Sequence, residues 1–292
     1  MEANRSDETK AMGYALAAVL LWSTVAVGFK LGLAQMTIAQ LLLLGTSISW
    51  LIFLLYCTVS KQWALAGGDR CWIVALGLIN PFAYYFLLFG AYDRLPAHIA
   101  QPLNYTWAIT LAVLAIPILK QPLTRKMMSG MIVSYFGVVV LLMTSASAET
   151  TKWNGLGLTF ALLSTLLWAT YWLINTRISS PPAPIMFWSF SVALPGIALV
   201  CWLGPGFPHL SAKTLAYGAW VGCIEMGFTF LLWQRALRLT QHAARLGQLI
   251  FLSPFISLLL MQNILEEPIN VWTFAALGLI VVGVRIARPP LK

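Results

Sequence analysis

The stretch ILEEPIN, residues 264–270, places two adjacent glutamates and a proline at the end of a long apolar run, in a chain with only nine acidic residues. A near copy, ILKQPLT, occupies residues 118–124, displaced by 146 positions in a chain of 292. The same displacement pairs ALAAVLLW, residues 15–22, with ALLSTLLW, residues 161–168, and carries Gly137 onto Gly283. Between these lies YYFLLFGAYDRL against FTFLLWQRALRL, at an offset of 144. Chance leucine matches are common in apolar sequence. The pairs Trp22/Trp168, Pro122/Pro268 and Gly137/Gly283 therefore carry most of the weight, and the chain reads as two repeats, 1–146 and 147–292.

Sixty per cent of the residues are apolar and 9% are charged, too few polar groups to cover a water-facing surface. A bilayer-spanning helix needs about 20 mostly apolar residues. Runs of that kind lie near 11–33, 38–59, 71–92, 97–119, 126–144, 154–176, 184–203, 212–237, 243–265 and 271–287. The expected fold is all-α: an integral membrane protein of ten transmembrane helices, with short connections and no soluble domain. The first run is too long for a signal-peptide core and is expected to be a retained helix.

Five helices per repeat is an odd number of crossings, so the second copy must enter the membrane from the opposite side, as an inverted-topology repeat. Charge sets the expected orientation. With ten helices, 14 of the 18 Lys and Arg fall on the side of the N-terminus, leaving Lys30, Arg94, Lys152 and Lys213 on the other. The positive-inside rule then places both termini in the cytoplasm. The net charge of +9 is scattered through loops without a basic stripe, so nucleic acid is not an expected partner. Cys57, Cys71, Cys201 and Cys223 have no ligand spacing, and His98, His209 and His242 form no cluster. No metal and no cofactor are expected.

These features resemble the drug/metabolite transporter superfamily, ten-helix exporters built from two EamA-type repeats. The resemblance spans nearly the whole chain. It is carried by LLW in helices 1 and 6, by LKQPLT and LEEPIN, and by SPFISLLL followed by GLIVVG in helices 9 and 10. Many members end the fourth helix of each repeat with a Glu-bearing version of the turn. Gln121 departs from that pattern, which argues against a glutamate shared by both copies. Among members, the chain is most similar to bacterial inner-membrane exporters of aromatic amino acids, the YddG type. The resemblance implies a multi-pass exporter of the bacterial inner membrane, amino acids with aromatic or other large apolar side chains as substrates, alternating access around a midplane cavity between the repeats, and membrane lipid as a further partner. A monomer is expected.

Eight of the nine acids lie in tails, loops or helix ends; Glu225 alone sits midway along an apolar run, GAWVGCIEMGFTF. A central charge there costs about 2.5–3.5 kcal/mol on insertion scales, so the side chain is expected to avoid lipid and to meet a substrate ammonium or carry a proton. The alternative is a protonated carboxyl that only bonds a neighbouring helix. Gly218, Gly222 and Thr229 lie at helical spacing from it and predict a low-bulk face around the carboxyl.

Trp168, Tyr171, Trp172 and Asn175 fall at i, i+3, i+4 and i+7, one face of helix 6. This stripe is a candidate wall for an aromatic side chain or a cation, or else a belt anchor at the interface. Trp22 matches Trp168 by the repeat. Tryptophans near helix ends, Trp233 among them, read as belt residues. Helix 4 opens HIAQPLNYTW, with Gln101, Asn104 and Tyr105 on one face and Trp107 turned away, beside Pro102. Its counterpart RLGQLIFLSP offers Gln248 and Ser253. In helix 3, Asn80 and Tyr84 share a face next to Pro81, whereas Tyr85 is expected to point elsewhere. Packing accounts for any one of these groups. Together they match a zwitterion, with Glu225 for the ammonium, amides for the carboxylate and tryptophans for the side chain.

Gly28 with Gly32, and Gly218 with Gly222, make GxxxG spacings that allow close helix contact. An exporter of lipophilic cations is the second reading, since Glu225 and aromatics suffice for it. A membrane enzyme is a remote third, as HExxH, GxSxG, an acidic metal cluster and a phosphate loop are all missing. Glu266 and Glu267, at a helix end, are expected to serve topology and capping.

Overall fold

The computed structural model describes residues 2–107, 110, 113–114, 125–146, 154–175, 178–239, 249, 253–266 and 269–286. Among them every regular element is helical. Six helical spans are long and apolar enough to cross a membrane: Asp7–Leu33, Ile38–Ser60, Gly67–Arg94, Gly155–Asn175, Pro182–Leu203 and Ala212–Ala236. Shorter apolar helices cover Met128–Val140, Phe255–Ile264 and Val271–Gly283. The runs expected at 97–119 and 243–265 are described only in part. Leu55, Val59, Ile132, Phe136 and Leu166 are among many large apolar side chains exposed on these spans. Helices that are apolar on the outward face as well as the packed one belong in lipid.

Several spans are broken where the sequence breaks them. The first comprises α1 (Glu2–Trp22) and α2 (Val25–Leu33), divided at Ser23 and Thr24, whose hydroxyls donate to the carbonyls of Val19 and Leu21. Helix α3 (Ile38–Ser60) starts at a capping box, in which Thr37 accepts from the Gln40 amide and the Gln40 side chain accepts from the Thr37 amide. Helix α4 (Arg70–Gly77) and α5 (Tyr84–Arg94) are joined by a wide, π-type turn, Leu78–Ala83, in which Asn80 is extended at φ −143°, ψ 119° and precedes a cis Pro81. Proline removes a donor and clashes with the preceding turn, so the kink falls there. After α6 (Ala97–Tyr105) come α7 (Arg125–Ala146), α8 (Gly155–Asn175) and α9 (Pro182–Leu203). Helix α10 (Ala212–Ala219), a second π-type turn at Trp220–Glu225, and α11 (Phe228–Leu239) make up the next span. Helices α12 (Ser253–Ile264) and α13 (Val271–Ile286) end the described chain.

The chain divides into two compact units, and each draws on both sequence repeats. The first holds Met1–Phe86 and Ile178–Ser257. In it α3 packs on α9, its counterpart at the offset of 146: Phe53 meets Phe190 edge-on at 5.1 Å, Trp50 stacks on Phe187, and the Trp50 indole donates to Ser191 Oγ at 2.7 Å. The glycine spacings serve packing within this unit. A Cβ on Gly222 would lie 2.7 Å from the Gly45 carbonyl and 2.7 Å from Ile48 Cβ, one on Gly218 would meet Leu44, and one on Gly28 would strike the Trp220 ring. Gly218 and Gly222 thus bring their span against α3.

The second unit holds Leu87–Arg177 and Leu258–Lys292. Here α7 crosses α13, its own counterpart at the offset of 146. Gly137 abuts Ala276 and Ile280, and Gly283 abuts Gly130 and Ser134, whose hydroxyl donates to the Ile280 carbonyl at 3.1 Å. The two glycines that the repeat pairs each permit the same crossing. Glu266, from the opening stretch, lies exposed just past the end of α12 with a left-handed backbone, φ 54°, and the Leu265 amide before it closes on the Met261 carbonyl at 2.9 Å. Glu267 and Pro268 lie outside the described residues.

Candidate functional site

Glu225 closes the π-type turn in the first unit and is 5% exposed. A π-type turn shifts backbone bonding by one residue, here giving a bond from the Met226 amide to the Val221 carbonyl. The carbonyls at the end of the turn find side-chain donors: the Thr229 hydroxyl bonds to Ile224, and the Trp22 indole reaches the Glu225 carbonyl at 3.4 Å, a long bond. The Tyr85 hydroxyl donates to Glu225 Oε1 at 2.9 Å. Among the described residues Oε2 has no partner, and the ion pairs, Lys10 with Asp7 and Arg94 with Asp93, lie elsewhere. An orphaned buried polar atom costs about 1–3 kcal/mol, so a carboxyl bonded at one oxygen and unpartnered at the other needs a reason.

Asn80 gives a second such case in the same unit. It is fully buried, and neither atom of its amide has a partner among the described residues. Tyr84 and Tyr85 follow it, both buried, with ring centroids 4.7 Å apart. Tyr85, not Tyr84, reaches Glu225. The expectation that Tyr85 points elsewhere is overturned, because the kink at Asn80 ends the helical register on which the Asn80/Tyr84 pairing depends.

Trp22 contributes both a donor and a surface. Its ring lies 5.5 Å from Trp233 and 6.3 Å, edge-on, from Phe230, so an aromatic cluster adjoins the Glu225 backbone. Trp233, a belt residue by its place in the sequence, is instead 7% exposed and packed on Trp22. Ser253, also of this unit, is fully buried. Gln248 lies outside the described residues.

The remaining candidates fall in the second unit. Trp168 and Tyr171 stack at 5.9 Å with rings 21° apart, and both are buried. Asn175 donates to the Tyr171 carbonyl at 2.8 Å, so its amide is committed to its own helix. The side chain of Trp172 is outside the described set. The Asn104 amide donates to Ser164 Oγ at 3.0 Å, and Thr110 and Thr165 share a bond of 3.0 Å, so α8 is tied by polar pairs to the segment that α6 begins. Gln101 is 2% exposed and its Oε1 has no partner among the described residues. Tyr105 and Trp107 are half-buried. The structure thus brings Trp22, Tyr85 and Glu225 together, with Asn80 in the same unit. Asn104 and Asn175 hold helices instead.

Among the described residues no group of His, Cys, Asp and Glu is placed to hold a metal. One further acid, Asp69, has the sequence setting of an ordinary loop residue and lies at the end of the 3-10 turn before α4. Its Oδ2 accepts from the amides of Ser179 and Ser180, at 3.1 and 2.8 Å, and from their hydroxyls, at 3.2 and 2.6 Å. Ser180 Oγ in turn accepts from the Ala66 amide at 2.9 Å. This clasp joins the loop after α3 to the loop before α9.

Comparison with known proteins agrees with this architecture. A solved crystal structure covers 96% of both chains at a TM-score of 0.70 and 20% identity, which shows a shared fold. An "Uncharacterized transporter" of Archaeoglobus fulgidus is 23% identical over 259 residues, covering 88% of this chain and 85% of its own. The "Uncharacterized transporter YyaM" of Bacillus subtilis is 24% identical over 251 residues, covering 83% and 80%. The profile of the EamA-like transporter family matches twice, over residues 9–143 and 155–288. A chain of broken apolar spans, with a buried acid at one of the breaks and that profile along both halves, belongs to the EamA-like transporter family.

Proposed function

We propose that this transporter exports amino acids with aromatic or other large apolar side chains across the bacterial inner membrane by alternating access, with both termini cytoplasmic and ten crossings in two inverted repeats. One observation carries the substrate reading: Glu225, buried and held at Oε1 by Tyr85, leaves Oε2 without a partner among the described residues. In this reading the unpartnered oxygen takes the substrate ammonium. The unpartnered Asn80 amide offers the carboxylate a donor, and the rings of Trp22, Phe230 and Trp233 lie beside the Glu225 backbone as an apolar wall. Bonds that form as the solute arrives replace those missing without it, which favours binding over simple packing.

Counterflow tests the reading: purified protein in liposomes loaded with unlabelled phenylalanine is expected to concentrate labelled phenylalanine, and Glu225→Gln is expected to lose that uptake. A lipophilic-cation exporter is the second reading, favoured by an acid with aromatic neighbours and no basic partner among the described residues. If cationic drugs are carried and amino acids are not, that reading replaces the first.

A further inference from the structure

We infer that the groove between α1, α3 and α11 binds an anionic glycerophospholipid of the surrounding bilayer, with Arg235 as the headgroup partner. The groove has a volume of about 980 Å³, at the upper end of the ~300–1,000 Å³ typical of ligand sites. It lies wholly within the first unit, and Glu225 is not among its lining residues. Glu225, Thr229 and Trp233 are the buried side of their span, whereas Phe228, Leu232 and Arg235 line the groove at i, i+4 and i+7. Opposite them, Leu55 and Val59 on α3 are 63% and 82% exposed. In a membrane-spanning chain, walls of this kind are covered by acyl chains.

The groove is polar at one end. Tyr14 midway along α1, Ser60 and Gln62 around the end of α3, and Gln234 and Arg235 towards the end of α11 all line it. Apolar walls leading to a hydrogen-bonding mouth match the amphipathic outline of a lipid. Charge selects among lipids. The exposed Arg235 guanidinium lies over the Tyr14 ring, 5.6 Å from its centroid, and has no carboxylate partner among the described residues. The cation–π contact with Tyr14 holds the guanidinium at the polar lining, and its planar fork of donors suits a phosphate. A zwitterionic headgroup carries its own ammonium beside the phosphate; an anionic one leaves the charge to Arg235. Basic pockets between spans recognise anionic headgroups on these terms.

The test uses delipidated, detergent-purified protein titrated with phosphatidylglycerol or phosphatidylcholine of matched chains, read by native mass spectrometry. Phosphatidylglycerol is expected to bind with about a fivefold preference, as one basic contact near the surface provides. Arg235→Gln is expected to abolish the preference while leaving residual binding of both lipids. Leu55→Trp, which fills the apolar wall, is expected to weaken both. Glycerol phosphate alone should not compete, which separates a lipid site from a free-phosphate site. Equal retention of the two lipids by the unaltered protein, an undiminished preference in Arg235→Gln, or displacement of lipid by phenylalanine would each overturn the assignment. The last result would make the groove part of the solute path.

Discussion

Tyr85 and Glu225 form the smallest unit on which function rests. A hydrogen bond to a charged group contributes about 1.5–3 kcal/mol, so Tyr85→Phe is expected to lower transport kcat/KM by roughly 10–100-fold. Tyr84→Phe, one position away, should lower it far less, because its ring is not the one on Glu225. Initial-rate counterflow across a concentration series measures both. Glu225 was legible in the sequence because a lone acid inside an apolar run is costly in lipid and must face protein or a cavity. Tyr85 was not, since the helical wheel assumes a straight helix and Asn80 departs from helical geometry five residues earlier. The signal that could have found it is Pro81, which marks where the wheel must restart.

At the scale of elements, the glycine crossings and the Asp69 clasp make different predictions. Gly283→Ala would set a methyl against Ser134 and the Gly130 backbone, and Gly222→Ala one against the Gly45 carbonyl. Each is expected to destabilise by about 1–3 kcal/mol, as overpacking does, and to lower the melting temperature in detergent. Gly278→Ala, with nothing within 4 Å of the added carbon, should leave it unchanged. Asp69→Ala removes the acceptor of four hydrogen bonds from Ser179 and Ser180 and is expected to lower the melting temperature, with Asp69→Asn in between. The apolar spans were legible because the bilayer sets their length and forbids unpaired backbone. The clasp was not, because it joins loops more than a hundred residues apart, a proximity that local periodicity does not encode.

For the whole molecule, the repeat at the offset of 146 and the distribution of Lys and Arg make a joint prediction. Ten crossings with the basic loops inside place residue 1 and residue 292 on the same, cytoplasmic side. A C-terminal fluorescent reporter should therefore be active and a periplasmic phosphatase fusion silent. The opposite pattern would mean an odd number of crossings or a reversed chain. The pairing of Gly137 with Gly283 was visible from ILKQPLT and ILEEPIN onward, but that α7 and α13 would pack on one another was not. The sequence offset states which helices correspond, and only the fold states which ones touch.

The central claim is that Glu225 receives the ammonium of an aromatic amino acid. The measurement that tests it most directly is counterflow of labelled phenylalanine in liposomes, comparing the unaltered protein with Glu225→Gln and Glu225→Ala. The account predicts saturable uptake that unlabelled tryptophan competes away and that both variants lose by at least tenfold, about 1.4 kcal/mol of transition-state stabilisation. Unchanged uptake in Glu225→Ala would contradict it.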